Sequence, residues 1–277
     1  MNFAIGVVLY NSKPEKIERT IKEYYKYAKN IILVDNGSSN IEDVRKISNL
    51  SNIIIIENEN NEGIARALNQ IFDKAIELNI DYLLTLDQDS FLSYEYLKKM
   101  MEYMNVDVAI TCPEIFDLNK KKNKRINKQY EEIERCITSG SFMNLKVCKK
   151  IGKFDEKMFI DYVDFEYCKR IMLRGYKILK IQGCFLLHEI GKRSSRKFFG
   201  IDVYPTNHSS FRVYYYFRNM HYYYLKYKRE MTIKEKINET IRIIWKYISI
   251  LLYEEDKIEK LKKAREGFKD SKKMLLQ

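Results

Sequence analysis

No run of the chain is apolar for long enough to cross a bilayer. The longest nearly apolar stretches, such as residues 241–253, which Arg242 and Lys246 interrupt, fall short of the roughly 20 residues that a spanning helix needs. No export signal is expected either: Met1 leads almost at once into a strand-like run, without a basic start, an apolar middle or a small-residue cleavage site, so the expected compartment is the cytoplasm. The five cysteines, Cys112, Cys136, Cys148, Cys168 and Cys184, are odd in number and lack the close spacing of zinc or redox pairs, which leaves buried thiols as the expectation. There is no internal repeat and no low-complexity tract. No Gly-x-Gly-x-x-Gly follows the first strand, which disfavours a dinucleotide oxidoreductase.

What is present is a 277-residue chain, 45% hydrophobic, enough to bury one large core. Its charge is placed unevenly. From residue 191 onward 21 Lys/Arg stand against 10 Asp/Glu, so +11 of the net +12 belongs to that part. A basic tail attracts an anionic membrane surface, a nucleic acid or a phosphorylated substrate, and charge alone does not choose among them. The absence of any nucleic-acid reading motif in either half argues against nucleic acid as a partner.

Over the first 112 residues, short β-branched runs alternate with helix-like segments. Strands are expected over residues 3–10, 31–35, 53–58, 82–86 and 108–112, with helices between them. Pro14 sits at a first helical turn and Ser93 caps a helix reaching Met104. This alternation predicts a mostly parallel α/β sheet covered on both faces, and in such sheets ligands bind beyond the carboxyl ends of the strands. Tyr10, Asp35, residues 57–63 and residues 87–89 all follow strand ends. Further on, an exposed loop is expected over 120–128, two short strands within 133–144 around Ser139-Gly140, a helix over 163–174 stopped by Gly175, and strands over 177–182 and 184–188. Residues 191–209 read as an aperiodic loop of about 19 residues, long enough to be functional. The expected organisation is a catalytic domain over 1–209, its donor half over about 1–112 and its acceptor half over about 113–209, followed by a basic, Tyr-rich helical extension over 210–277.

Leu83-Leu84-Thr85-Leu86 followed by Asp87-Gln88-Asp89-Ser90 sets two carboxylates at the mouth of the sheet. A divalent cation on a diphosphate would relieve their repulsion, because Mg2+ or Mn2+ prefers oxygen and takes one or two protein carboxylates beside substrate phosphates. The plain alternative is a polar turn capping the next helix. Val34-Asp35-Asn36-Gly37-Ser38 offers a carboxylate to a pyrimidine N3–H and a glycine turn that lets a base approach the backbone, though Asp-Asn-Gly is also ordinary turn chemistry. Asn60-Asn61-Glu62-Gly63-Ile64-Ala65-Arg66 offers a helix start and a cation suited to an anion, with Arg66 equally readable as a solvated helix residue. Asp164 opens a helix, either as its cap or as a base whose partly buried setting raises a carboxyl towards the useful range.

In this order and spacing, Val8-Leu9-Tyr10-Asn11, Val34-Asp35-Asn36-Gly37-Ser38, Asn61-Glu62-Gly63-Ile64-Ala65 and Leu86-Asp87-Gln88-Asp89-Ser90 resemble the family 2 glycosyltransferases with the GT-A fold. Phe154-Asp155, then Met158-Phe159-Ile160-Asp161-Tyr162-Val163-Asp164-Phe165-Glu166, and Arg170 resemble the acceptor-side motif of its rhamnosyltransferase branch. The likeness runs from about residue 3 to about residue 224. It implies inverting, metal-dependent transfer of a sugar, from dTDP-L-rhamnose in that branch, to a hydroxyl of a growing cell-surface polysaccharide or lipid-linked saccharide. It also implies that Asp35 recognises the base and that Val8, Tyr10, Asn11, Gly37, Ser38, Asn61, Gly63, Arg66, Asp87 and Gln88 line the nucleotide-sugar site. Asp87 and Asp89 are the implied metal ligands, joined by His188, and Asp164 is the implied catalytic base. Asp161, Glu166, Arg212 and Arg218 are candidates for acceptor or diphosphate contacts, as are Arg193 and Arg196 in the aperiodic loop. A UDP-hexose donor, or an inactive fold that only binds, stays open beside this reading.

The tail holds seven tyrosines between residues 211 and 227, and apolar residues recur at Ile237, Ile241, Ile244, Tyr247, Ile248 and Leu251. Such a helix face suits a core. With Lys226, Lys228 and Arg229 beside it, it also suits the headgroup zone of an inner-membrane surface, where a lipid-linked acceptor would be held.

Overall fold

Four β-branched runs build one half of the sheet. Phe3–Leu9 (β1), Asn30–Asp35 (β2), Ile53–Glu57 (β3) and Tyr82–Asp87 (β4) align in parallel in the order β3-β2-β1-β4. Parallel neighbours need crossovers, and these are helical: α1 (Pro14–Tyr24), α2 (Ile41–Ile47) and α3 (Ile64–Glu77). Proline opens α1 as its residue type allows, and α3 turns Ala65, Leu68, Ile71, Phe72 and Ala75 inward at helical spacing. This is a computed structural model, and it describes residues 1–116, 128–188, 196–198, 201–203 and 205–276.

Beyond β4 the sheet continues through Ser141–Asn144 (β8), Val108–Phe116 (β6), Lys177–His188 (β9) and the short Ser90–Phe91 (β5), while Tyr130–Glu132 (β7) pairs with β9. Parallel and antiparallel pairings mix in this half. The two strands expected over 177–188 are one. Gly183, at φ +75°, lets β9 bulge between the residues facing Cys112 and Glu114 without ending. Of the two strands expected within 133–144 only β8 forms, and residues 133–137 are a non-strand connection. Three more helices join these strands: α4 (Tyr94–Met101), capped by Ser93, α5 (Leu145–Ile151) and α6 (Val163–Leu173), which stops before Gly175. The core beneath is assembled from Phe3, Ile5, Val7, Leu33, Leu84, Leu97 and Phe142 among others.

The chain divides into two compact units, Met1–Glu156 with Val163–Glu189, and Lys157–Tyr162 with Ile190–Gln277. The second holds a β10–β11 hairpin (Arg196–Phe198, Ile201–Val203) and the helices α7 (Ser210–Tyr227), α8 (Ile233–Tyr253) and α9 (Lys257–Ser271). All five cysteines are free, and four are buried. Cys136 and Cys168 lie with their sulfurs 3.7 Å apart, a proximity that their spacing in the chain does not announce. Among the described residues no helix is long and apolar enough to cross a membrane.

Candidate active site

At the carboxyl end of β2, Asp35 is paired with Leu9 of β1 and is 3% exposed. Its Oδ2 accepts the Ser38 backbone N–H at 2.9 Å. Its Oδ1 is buried and has no hydrogen-bond partner among the described residues. Burying a carboxylate oxygen without a donor is costly, and such an atom calls for an explanation. Gly37 follows at φ +81°, and a Cβ there would fall 2.8 Å from the Asn60 carbonyl carbon, so only glycine lets the two turns touch.

The same rim is knit by amides. Asn36 Oδ1 accepts Asn58 Nδ2 and the Glu62 N–H, each at 3.1 Å, and Asn36 Nδ2 donates to Asn61 Oδ1 at 2.9 Å and to the Gly63 carbonyl at 3.3 Å. Asn61 also receives the Gly63 N–H at 3.0 Å, which fixes the start of α3. Asn58 and Gln70 exchange side-chain bonds at 3.0 and 2.7 Å. Asn36, Asn58 and Gln70 were not among the expected site residues. The signal for Asn36 and Asn58 was the cluster of asparagines just past β2 and β3, whereas Gln70, inside α3, carried none.

On the β1 and β4 side, Val8 lies opposite both Val34 and Asp87. Gln88 accepts the Tyr10 N–H at 2.7 Å and donates to the Tyr10 carbonyl at 3.1 Å. It therefore fixes the backbone beneath an exposed tyrosine ring. Asn11, at φ +48°, donates its N–H to Ser38 Oγ at 2.8 Å and accepts from Ser39. Asp87 and Asp89 follow the carboxyl end of β4, both half-buried. The β5–β9 register sets Ser90 opposite His188, so the backbone of the third expected ligand runs beside the Asp-x-Asp turn.

Asp164 is the second residue of α6 and is half-buried, with its Oδ1 accepting the Phe165 N–H at 2.8 Å. It lines a small cavity with Thr138, Ser141, Cys136 and Tyr167. The turn formed by residues 138–141 is the link to β4. Thr85 Oγ1 donates to the Thr138 carbonyl at 2.6 Å, the Gly140 N–H donates to the Thr85 carbonyl at 2.7 Å, and the Asp87 N–H donates to Ser139 Oγ at 3.0 Å. One turn thus touches both the base of Asp87 and the wall that Asp164 lines. Ser139 is expected from the sequence only as part of a turn, because a lone serine in a turn carries no signal of a site.

Other expected contacts are engaged elsewhere. Arg66 is shared between Glu62 and Glu156 at an exposed position. Glu166 is fully buried and binds Arg170 through Nε at 3.0 Å and Nη2 at 2.9 Å. In the helical unit, Arg212 grips Asp161 with Nε at 3.2 Å and Nη2 at 3.0 Å. Arg218 donates to the Lys157 carbonyl at 2.7 Å and lies over the Tyr215 ring. These contacts lie within the helical unit. Asp161 and Tyr162 both take positive φ, +64° and +66°, a conformation costly for residues with a Cβ unless the surroundings impose it. Arg212, the Asn219 amide on the Ile160 and Asp161 carbonyls, and Glu239 on the Tyr162 hydroxyl do so. Arg193 and the side chains of His188 and Arg196 lie outside the described residues.

The described residues contain no group of three His, Cys, Asp or Glu set to hold a metal. The donor set at Asp87 and Asp89 nevertheless fits a hard divalent ion. Two half-buried carboxylates at a strand end supply the one or two protein oxygens that such an ion takes when substrate phosphates complete its shell.

Residues 4–160 match Glycosyl transferase family 2. Over 95% of its length the chain is 29% identical to the dTDP-rhamnosyl transferase RfbF of Shigella flexneri, 92% of which is covered. Among solved structures it is similar to S. aureus TarS 1-349 in complex with UDP-GlcNAc, with TM-score 0.56, 13% identity, and 99% of this chain and 91% of that one covered. It is also similar to GalNAc-T7 with UDP, GalNAc and Mn2+, with TM-score 0.59, 15% identity and 81% of this chain covered; it spans 50% of that longer chain. At such identities the two structures show the fold alone, a GT-A α/β sheet flanked by helices. The match over more than half of its residues places the chain in glycosyl transferase family 2.

Proposed function

We propose that this family 2 glycosyltransferase moves L-rhamnose from dTDP-L-rhamnose, with inversion, to a hydroxyl of a growing cell-surface polysaccharide or lipid-linked saccharide at the cytoplasmic face of the membrane. The observation that carries the donor site is the unpartnered Oδ1 of Asp35. A buried acceptor just past a strand end asks for one N–H, and the N3–H of thymine is such a donor. Uracil carries the same group, so the choice of nucleotide and sugar rests on the likeness to a dTDP-rhamnosyl transferase.

In this proposal Tyr10, its backbone fixed by Gln88, offers an exposed ring to the base. Asp87 and Asp89 hold the divalent ion, Mg2+ or Mn2+, which when bound neutralises the charge of the departing diphosphate. Asp164 takes the proton from the acceptor hydroxyl as that oxygen bonds to the anomeric carbon. The bond from that carbon to the diphosphate oxygen breaks on the opposite face, and its electron pair leaves with the nucleotide. A single displacement of this kind inverts the anomeric centre.

The test is a donor panel of dTDP-L-rhamnose, UDP-glucose and UDP-GlcNAc, each offered with a lipid-linked acceptor mixture and the product weighed. A deoxyhexose increment from dTDP-L-rhamnose is expected. A hexose increment from a UDP sugar would replace the donor assignment, and nucleotide binding without transfer from any donor would favour a binding module.

A further inference from the structure

Among the described residues, helix α8 is covered on one side only. The inward side carries Glu239, Ser249 and Ile250, all buried. The outward side carries Ile233, Ile237, Ile241, Ile244, Leu251 and Leu252, each between 45% and 77% exposed. Their spacing puts them in one stripe along a 21-residue helix. A contiguous apolar strip of this length facing water marks a contact surface.

The stripe carries no carboxylate. Both acids of α8 are used elsewhere: Glu235 closes a capping box with Thr232, and Glu239 is buried and receives the Tyr162 hydroxyl at 2.9 Å. Bases gather instead at the amino end, where Lys228, Arg229 and Lys234 are exposed and Lys236 is half-buried. The chain from residue 191 onward carries +11 of the total +12. Two copies packed through α8 would bring two such charges together, whereas an anionic lipid surface neutralises them. The helix is not apolar enough all round to span a membrane, and one apolar side with a basic amino end is the pattern of a helix lying in the interface plane.

We infer that the outer face of α8 docks on an anionic lipid bilayer, with its isoleucines and leucines at the headgroup and acyl boundary and the lysines at its amino end among the headgroups. This deepens the proposed function, on which its biological purpose rests, by naming the surface that brings the enzyme to a membrane-held acceptor.

The experiment is flotation of the full chain with vesicles of phosphatidylcholine alone or mixed with phosphatidylglycerol, with dTDP binding measured in parallel without lipid. Binding to the mixed vesicles should be tighter than to the neutral ones by about tenfold or more. The double variant Ile237→Ser, Ile241→Ser should lose about tenfold or more of it while keeping its thermal melt and its dTDP affinity. The pair Lys228→Ala, Arg229→Ala should narrow the difference between the two vesicle types and leave the melt unchanged. Wild-type protein that ignores anionic vesicles, or a serine variant that floats as well as wild type, would overturn the inference. So would a wild-type dimer in sedimentation that the serine variant converts to monomer with no change in flotation. Loss of dTDP binding in all forms would instead strike the donor assignment and leave the docking result standing.

Discussion

Glu254 in the helical unit and Asp35 in the α/β unit are both withdrawn from water, at 2% and 3% exposure, but their oxygens meet different fates. Glu254 Oε1 binds Lys246 at 2.8 Å and Ser249 at 3.0 Å, and Oε2 binds Lys260 at 3.2 Å. Burial pushes its carboxyl up, and the lysines and serine more than offset this, leaving it below its ordinary value. Asp35 has one oxygen bonded within its own turn and the other bonded to nothing among the described residues. A saturated buried charge is a feature of the fold. A half-saturated one at the carboxyl end of a strand is what the proposed base contact would complete.

This contrast predicts separable losses. The largest falls on chemistry: Asp164→Asn should lower the transfer rate by about a thousandfold with donor affinity and melting temperature kept, and turnover near wild type would remove Asp164 as the base. Next comes Glu254→Gln, which leaves the buried Lys260 and the half-buried Lys246 short of their counter-charge and should cost about 3 kcal/mol of stability. In denaturant melts it should unfold early, while turnover per folded molecule is unchanged; a wild-type midpoint would show that the ion pair holds nothing. Asn36→Ala sharpens the comparison from within the α/β unit. It strands four partners at the rim and should cost about 2 kcal/mol along with some donor affinity, and a change in neither would deny the amide hub its role.

The smallest effect is one of pH. Burial pushes His208 down from 6.5 to about 4, with Arg212 and Lys246 adding to the shift. Its folded form is neutral, so between pH 6.5 and 4 the unfolded chain takes up the proton first. Stability from this residue is therefore complete above pH 6.5 and falls as pH drops through about 4. In His208→Gln the decline of melting temperature across that window should be shallower than in wild type, and an identical slope would exclude the residue.

The first 112 residues were legible because their physics is local. β-branched runs joined by amphipathic helices dictate β1 to β4, and the strand-end rule then selects Asp35, Asp87 and Asp89 without any contact being known. The residues after 112 were less so. Cys136-Ile137-Thr138 has strand composition yet forms part of the connection that grips β4 through Thr85 and Asp87, and hydrogen bonds between a side chain and a distant backbone leave no periodic trace. Glu166 and Arg170 stand four apart, as ion pairs on helices do, but nothing in that spacing tells that Glu166 is fully buried. Arg212 and Asp161 are 51 residues apart, and the two consecutive left-handed residues they secure carry none of the glycine that would have flagged the turn.

The most direct test of the donor site is calorimetric titration of dTDP, with Mn2+ present, into wild-type protein and into Asp35→Ala. If the unpartnered carboxylate oxygen receives the base, affinity should fall about tenfold or more while the melting temperature stays level or rises, because a buried charge lacking its ligand has been removed. Equal affinity in the two proteins would contradict the account and leave the burial of Asp35 without a function.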